Sequence, residues 1–131
     1  MGSIEERLKG RSILIVDDDS RNTFALLSYL GGMEMNIYTA GDGFQAIELL
    51  EDPGNIEIIL MDMMMPEMDG YETMQVIRQN PSFRRLPIVA LTAKAMKGDR
   101  EKCLEAGASE YLAKPVNTEQ LLSALRMWFH R

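Results

Sequence analysis

The segment IILMDMMMPEMDG, residues 58–70, is the most apolar part of the chain and has a carboxylate in its middle. A short aliphatic run leads into one carboxylate, Asp62, and a turn then leads to residues at helical spacing. An apolar run of this length is typical of a fully buried strand, and the spacing of Tyr71, Met74 and Ile77 predicts a helix. The segment therefore predicts a buried strand that ends at an aspartate and is followed by an α-helix.

The same strand-then-helix unit recurs along the chain. Candidate strands cover residues 12–16, 35–40, 56–62, 87–92 and 110–114. Parallel neighbours need a crossover connection, so strands that alternate with helices favour a parallel sheet. The runs ILIV, IILM and IVAL are apolar on both faces and suit the interior of the sheet, whereas MNIYT and EYLAK are mixed and suit its edges. We predict an α/β domain with one doubly wound, five-stranded parallel sheet in the order 2-1-3-4-5.

The last two helices have the clearest boundaries. Asn117 is a good N-cap residue for the final helix, and an apolar stripe follows it, formed by Leu121, Leu122, Leu125, Trp128 and Phe129. In the preceding helix, Gly107 is typical of a residue that ends a helix in a left-handed conformation. Cys103, the single cysteine, is expected at a half-buried position of that helix.

Length and composition predict one globular domain. The chain has 131 residues, of which 46% are hydrophobic and 26% charged, and no Pro/Gly/Ser-rich linker divides it. Residues 1–3 resemble an expression tag. We therefore expect residues 1–10 to be a tag-like start and linker and residues 11–131 to form the domain.

Several classes of protein are disfavoured by charge and by the kinds of residue present. The net charge of -6 disfavours nucleic acid and anionic membranes as partners. One cysteine cannot form a disulfide within the chain and favours a reducing, cytoplasmic location. The longest aliphatic runs have four residues, too few for membrane insertion. The sequence leaves the oligomeric state open.

Polar residues follow four of the five predicted strands at the point where each strand ends. They are Asp17–Asp19, Asp62, Thr92 and Lys114. In doubly wound sheets, ligands bind outside the carboxyl ends of the strands, where the winding direction changes. The predicted topology therefore brings these residues to one edge of the sheet.

Each aspartate taken alone is as well explained by a turn or a helix cap. Converging carboxylates repel one another, however, and a divalent cation can compensate that repulsion. Carboxylate oxygens suit Mg²⁺, which leaves coordination positions open for phosphate. With Lys114 as a positive charge and Thr92 as a hydroxyl donor, Asp62 is best interpreted as a nucleophile that can form an acyl phosphate.

Four motifs, ILIVDDD, IILMDMMMPEMDG, PIVALTA and EYLAKPV, resemble in order and spacing the receiver domain of two-component response regulators. The resemblance extends over residues 11–131 and implies a flavodoxin-like receiver fold. It implies that Asp62 accepts a phosphoryl group from the phosphohistidine of a histidine kinase or a histidine phosphotransfer domain. It also implies a Mg²⁺ site formed by Asp17, Asp18, Asp62 and the backbone carbonyl of Met64.

The resemblance further implies a conformational switch. Thr92 and Lys114 would contact the phosphoryl group, and Tyr111 would occupy the space that Thr92 leaves, which changes the surface of helix four, strand five and helix five. Met64 and Lys94 would influence the lifetime of the acyl phosphate. The bond between Lys114 and Pro115 would be cis.

The resemblance places partner docking on helix one, at Arg21, Asn22 and Phe24. Because no segment follows the fifth helix, we expect no DNA-binding or enzymatic output in the chain itself. The lead-in IEERLKGRSILIVDDD and the stretch LTAKAMKGDREKCLEAGASEYLAKPV are similar to receivers of hybrid histidine kinases. A free-standing single-domain regulator is the alternative.

Two other classes of protein share part of this pattern. A haloacid-dehalogenase-like phosphatase also uses an aspartate after a strand, and Asp17 and Asp19 have the required spacing. Arg21, however, stands where that motif needs Thr or Val. An interaction module that is never phosphorylated would not need the combined Asp, Thr and Lys set.

Overall fold

The computed structural model describes residues 8–51, 55–65, 67–93 and 98–129. In chain order the elements are β1 (Ser12–Val16), α1 (Ser20–Gly31), β2 (Asn36–Ala40), α2 (Gly43–Glu51), β3 (Ile58–Asp62), α3 (Gly70–Gln79), β4 (Ile88–Thr92), α4 (Asp99–Ala106), β5 (Glu110–Ala113) and α5 (Thr118–Phe129), with a 3-10 turn at Pro81–Phe83. Each predicted strand is present, and its bounds agree with the prediction to within two residues.

The sheet has the predicted order, β2-β1-β3-β4-β5, and all its neighbouring strands are parallel. Every residue of β1, β3 and β4 is buried, whereas β2 and β5 are partly exposed. Strands that are apolar on both faces therefore occupy the interior, and the mixed strands form the edges. The predicted α/β fold is confirmed.

Two apolar layers cover the two faces of the sheet, because successive side chains of a strand point to opposite faces. One layer contains residues of α2, α3 and α4 together with Leu14, Val16 and Met61 of the sheet. The other contains residues of α1 and α5 together with Ile13 and Ile15. We call these the α2/α3/α4 layer and the α1/α5 layer.

Packing begins before residue 11, the expected start of the domain. Leu8 is fully buried in the α1/α5 layer, and its carbonyl accepts a hydrogen bond of 2.9 Å from the backbone N–H of Arg11. The Arg11 guanidinium pairs with Glu57 at 2.7 Å and lies 5.3 Å from the centre of the Phe129 ring. Residues assigned to the linker thus contribute an apolar side chain to the core.

The predicted helix ends are present. Asn117 accepts hydrogen bonds from the backbone N–H groups of Glu119 and Gln120. Gly107 ends α4 with a φ of 124°. Cys103 differs from the prediction, because it is fully buried rather than half-buried: α4 packs against α3, and the Tyr71 hydroxyl lies 3.8 Å from its sulfur.

The end of β3 and the start of α3 lie in direct contact, which only a glycine at the start of α3 allows. A Cβ atom at Gly70 would lie 2.7 Å from the carbonyl oxygen of Asp62 and 2.7 Å from the Cα of Met63, so a side chain does not fit there. Asp69 caps α3 by accepting a hydrogen bond of 2.9 Å from the N–H of Glu72. These contacts fix the backbone that carries Asp62.

Arg78 joins α3 to two turns on the same side of the sheet. Its guanidinium donates hydrogen bonds to the carbonyl oxygens of Gly107 at 3.0 and 2.7 Å and of Phe83 at 2.7 Å. Burial lowers the pKa of Arg78, and among the described residues its guanidinium donates to carbonyl and hydroxyl oxygens rather than to carboxylates. The side chain therefore fixes the end of α4 relative to α3.

We expect Arg78→Met to lower the free energy of unfolding by about 2–4 kcal/mol, because buried carbonyl groups lose a charged donor. The matched control is Arg85→Met, since Arg85 is exposed and a surface substitution changes stability by only about 0.5 kcal/mol. Urea denaturation of both variants measures the difference. Equal stability of the two variants would contradict this role.

Candidate functional site

Two buried carboxylates and one exposed carboxylate meet where β1 and β3 end. The two strands are neighbours, with Val16 opposite Met61. The next residues on the two strands, Asp17 and Asp62, therefore lie side by side. Asp17 is 4% exposed and Asp62 is 2% exposed, whereas Asp18 is exposed. Carboxylate oxygens of the three residues lie within 4.8 Å of one another.

Lys114 provides the positive charge between the two buried carboxylates. Its Nζ lies 3.1 Å from Oδ2 of Asp17 and 3.1 Å from Oδ1 of Asp62. Burial alone would lower the pKa of Lys114, but the hydrogen bonds to the two carboxylates outweigh burial and the pKa is raised. The ammonium is therefore charged at neutral pH.

Burial raises the pKa of Asp62 to about 6, and the charge of Asp17 contributes in the same direction. The N–H of Met64, 3.1 Å from Oδ1 of Asp62, and the ammonium of Lys114 oppose the shift, because both favour the ionised form. Asp62 is thus ionised at neutral pH, at a cost that its surroundings only partly offset. Perturbed carboxylates of this kind cluster at functional sites.

Asp19, the third acidic residue after β1, belongs to α1 rather than to the acidic cluster. Its side chain accepts a hydrogen bond of 2.9 Å from the N–H of Arg21 and pairs with the Arg21 guanidinium at 3.2 Å. These hydrogen bonds hold the pKa of Asp19 below its usual value. The Asp19 carboxylate is thus engaged with Arg21, and only the backbone N–H of Asp19 contacts Asp17, at 2.8 Å from Oδ1, which disfavours the phosphatase alternative.

Met64 contributes to the site through its backbone. Its N–H binds Asp62, while its side chain is 61% exposed. The resemblance assigned only the carbonyl of this residue, and the sequence carried no sign of the N–H donor. That donor depends on the path of the turn after β3, which a sequence pattern does not specify.

Thr92 and Tyr111 share the sheet face that is covered by the α2/α3/α4 layer. Thr92 lies opposite Ala113 and Ala90 lies opposite Tyr111 in the register of β4 and β5. Ala90 and Tyr111 contact the α2/α3/α4 layer, and the alternation of side chains gives Thr92 the same side. Thr92 is 6% exposed, and its carbonyl accepts a hydrogen bond of 2.7 Å from the N–H of Lys114. The backbone thereby connects these two predicted site residues.

The residues predicted for docking lie on the first turns of α1. Arg21 and Phe24 are exposed, Phe24 by 70%, and Asn22 is half-buried. The peptide bond between Lys114 and Pro115 is cis, as the resemblance implies. Lys94 lies outside the described residues.

The donor set fits a small divalent cation. Carboxylate oxygens are hard ligands of the kind that Mg²⁺ takes, usually with one or two protein carboxylates and several waters. The exposure of Asp18 gives water access to one side of the cluster. The thioether of Met64 is a soft group and does not suit such an ion.

A family model described as the response regulator receiver domain matches residues 13–126. The chain belongs to this family. The receiver is 37% identical to the signal transduction histidine-protein kinase BarA of Shigella flexneri over 92% of this chain and 13% of that protein. It is 39% identical to the transcriptional regulatory protein CpxR of Escherichia coli over 91% of this chain and 49% of that protein. The receiver thus spans about half or less of the length of these relatives.

Solved structures show the same fold. The receiver domain of sensor histidine kinase PA1611 from Pseudomonas aeruginosa, solved with a magnesium ion in its active site cleft, matches with a TM-score of 0.84 and 38% identity over 93% of this chain and 99% of that one. The Saccharomyces cerevisiae receiver domain of Ssk1, solved with the histidine phosphotransfer protein Ypd1, matches with a TM-score of 0.86 and 28% identity over 94% and 91% of the two chains.

The described helices of the receiver include none that is long and apolar enough to cross a membrane.

We expect Asp62→Asn to stabilise the receiver in magnesium-free buffer near neutral pH. The pKa of about 6 in the folded chain exceeds the value of 3.8 for an unperturbed aspartate, so protonation of Asp62 stabilises the fold fully below about pH 4, and this contribution is lost as the pH rises through about 6. Asn carries no charge to bury, so the free energy of unfolding should rise by about 1–3 kcal/mol at about pH 7.5 and much less at about pH 4.5. Urea denaturation at both pH values measures this, and an equal gain at both would contradict the raised pKa.

Proposed function

We propose that Asp62 accepts a phosphoryl group from a phosphohistidine, and that this phosphorylation switches the surface formed by α4, β5 and α5. One observation carries the proposal. Asp62 is a buried carboxylate that lies 3.1 Å from the ammonium of Lys114 and within 4.8 Å of the oxygens of Asp17 and Asp18. A carboxylate so placed can act as a nucleophile while a neighbouring cation balances the incoming negative charge.

In the transfer step, a carboxylate oxygen of Asp62 attacks the phosphorus of the phosphoimidazole. A P–O bond forms, the P–N bond breaks, and the donor histidine keeps the electron pair. Asp62 must be ionised, which its pKa of about 6 allows at neutral pH. Lys114 then pairs with an oxygen of the phosphoryl group in place of the carboxylate oxygen, and the hydroxyl of Thr92 donates to another.

Asp17, Asp18, Asp62 and the backbone carbonyl of Met64 would hold Mg²⁺. A bound divalent cation would neutralise charge on the phosphoryl group during transfer. The nearness of three carboxylate oxygens supports this assignment. The magnesium ion in the 38% identical PA1611 receiver supports it as well.

Phosphorylation replaces about one negative charge with about two, by analogy with other phosphorylated side chains. Thr92 and Lys114 would be drawn toward those charges, and Tyr111 would enter the space beside Thr92, since both lie on one face of the sheet. Moving a two-state equilibrium from 1:99 to 99:1 needs about 5.5 kcal/mol. Two hydrogen bonds to a charged group supply about 3–6 kcal/mol before the cost of rearrangement is subtracted, so they reach that figure only at the upper end of the range. The switch is therefore partial without a partner and is completed by one.

The partner is a histidine kinase or a histidine phosphotransfer domain that docks on the first turns of α1. The exposed Phe24, on a helix that begins three residues after Asp17, provides an apolar anchor. The pairing of Ypd1 with the Ssk1 receiver supports a phosphotransfer domain as donor.

We further propose that this receiver comes from a hybrid histidine kinase. The matches to BarA and to the PA1611 receiver support this origin. The equal similarity of CpxR keeps a response regulator as the second candidate. Sequencing the gene on both sides of the segment that encodes these residues distinguishes the two origins. A histidine kinase module upstream in the same reading frame would support the hybrid kinase, and its absence would support the response regulator.

Incubation with acetyl phosphate and Mg²⁺ tests the phosphoacceptor. Intact mass spectrometry should show the gain of one phosphoryl group in the parent and none in Asp62→Asn. Addition of a chelator before acetyl phosphate should abolish the gain. A phosphoryl group on the Asp62→Asn variant, or none on the parent, would contradict the proposal.

A second experiment tests docking. We expect Phe24→Ala to slow transfer from a phosphorylated histidine phosphotransfer domain by about tenfold, the effect of losing one apolar anchor. Phosphorylation by acetyl phosphate should not change, because that donor needs no docking surface. Phe44→Ala is the matched control, since Phe44 is 52% exposed on α2. An equal loss in both variants would contradict docking on α1.

A further inference from the structure

Three consecutive methionines follow Asp62, and their side chains differ sharply in exposure. Met63 is 1% exposed and Met65 is 7% exposed, whereas Met64 is 61% exposed. The two buried side chains belong to the α2/α3/α4 layer. The middle thioether is therefore open to dissolved oxidants while its neighbours are protected.

The exposed thioether belongs to the residue whose backbone contacts Asp62. The N–H of Met64 donates to Oδ1 of Asp62 at 3.1 Å. Its side chain therefore starts two residues from the carboxylate that receives the phosphoryl group, on the solvent side of the turn. A change in its polarity changes the surroundings of that group.

We propose that Met64 is a redox modification site that sets the lifetime of the acyl phosphate on Asp62. This inference rests on the proposed function of Asp62. A peroxide transfers one oxygen atom to the thioether: the sulfur is oxidised by two electrons, an S–O bond forms, the O–O bond breaks, and water leaves when the peroxide is hydrogen peroxide. The product, methionine sulfoxide, is polar, and methionine sulfoxide reductases can reduce it back to methionine.

Oxidation shortens the lifetime of the acyl phosphate for a physical reason. The thioether is apolar and its sulfur is a very weak hydrogen-bond acceptor, so it does not hold a water molecule beside the site. A sulfoxide oxygen is a strong acceptor and can hold the water molecule that attacks the phosphorus. One such hydrogen bond corresponds to an increase in hydrolysis rate of about two- to tenfold.

The experiment begins with hydrogen peroxide treatment of the folded chain, followed by peptide mass mapping. We expect Met64 to gain one oxygen atom before Met63 and Met65 do. The treated and untreated chains are then phosphorylated with acetyl phosphate and Mg²⁺, the donor is removed, and the loss of the phosphoryl group is followed by intact mass. The half-life should be about two- to tenfold shorter after treatment.

Three variants complete the test, each compared with its own untreated half-life. Met64→Leu should show no effect of peroxide, because it has no sulfur at this position. Met64→Gln, whose amide imitates the polarity of the sulfoxide, should have a short half-life without peroxide. Met127→Leu should respond as the parent does, since Met127 is a 48% exposed methionine on α5.

A peroxide effect that persists in Met64→Leu would overturn the inference, as would oxidation of Met63 or Met65 as fast as Met64. Equal half-lives with Met64 fully oxidised would also overturn it, while leaving the proposed function intact. A chain that gains no phosphoryl group before peroxide treatment would overturn the proposed function, and this inference with it.

Discussion

Lys114 holds two buried carboxylates together at the edge of the sheet, because its ammonium lies 3.1 Å from Asp17 and 3.1 Å from Asp62. Carboxylate oxygens of Asp17 and Asp62 lie within 4.8 Å of each other and repel, and a cation or a shared proton compensates such repulsion. With the exposed Asp18, the cluster keeps an excess of negative charge that a single ammonium does not cancel. Burial raises the pKa of Asp62, the charge of Asp17 adds to that shift, and the excess of negative charge favours the entry of a divalent cation.

The strand order of the sheet brings these mutually repelling carboxylates together. β1 and β3 are adjacent central strands, and the residues that follow them emerge side by side. Lys114 follows the edge strand β5 and reaches the cluster because its N–H is bonded to the carbonyl of Thr92. Because Gly70 has no side chain, the start of α3 can lie against the backbone of Asp62. Well-packed neighbouring elements therefore hold a site that its own charges would open.

The sequence predicted the sheet well, because a strand that is buried on both faces must be apolar throughout and an edge strand need not be. It predicted which residues gather at the carboxyl ends for the same reason, since strand order alone brings them together. It did not predict contacts that depend on exact packing. The full burial of Cys103 and of Leu8, the reach of Arg78 and the difference in exposure among Met63–Met65 all depend on how the helices lie on the sheet. No periodicity in the chain encodes those distances.

The hydrogen bonds of Arg78 limit which positions of this sequence can vary. The guanidinium bonds to main-chain oxygens of Phe83 and Gly107, which every amino acid supplies. Side chains at 83 and 84 can therefore drift without loss of the bonds themselves. Gly107 has no such freedom, because a Cβ there would lie 2.9 Å from the Cγ of Arg78 on a backbone with φ of 124°. A side chain at position 107 would thus strain its own backbone and displace an arginine that lies 29 positions earlier in the chain.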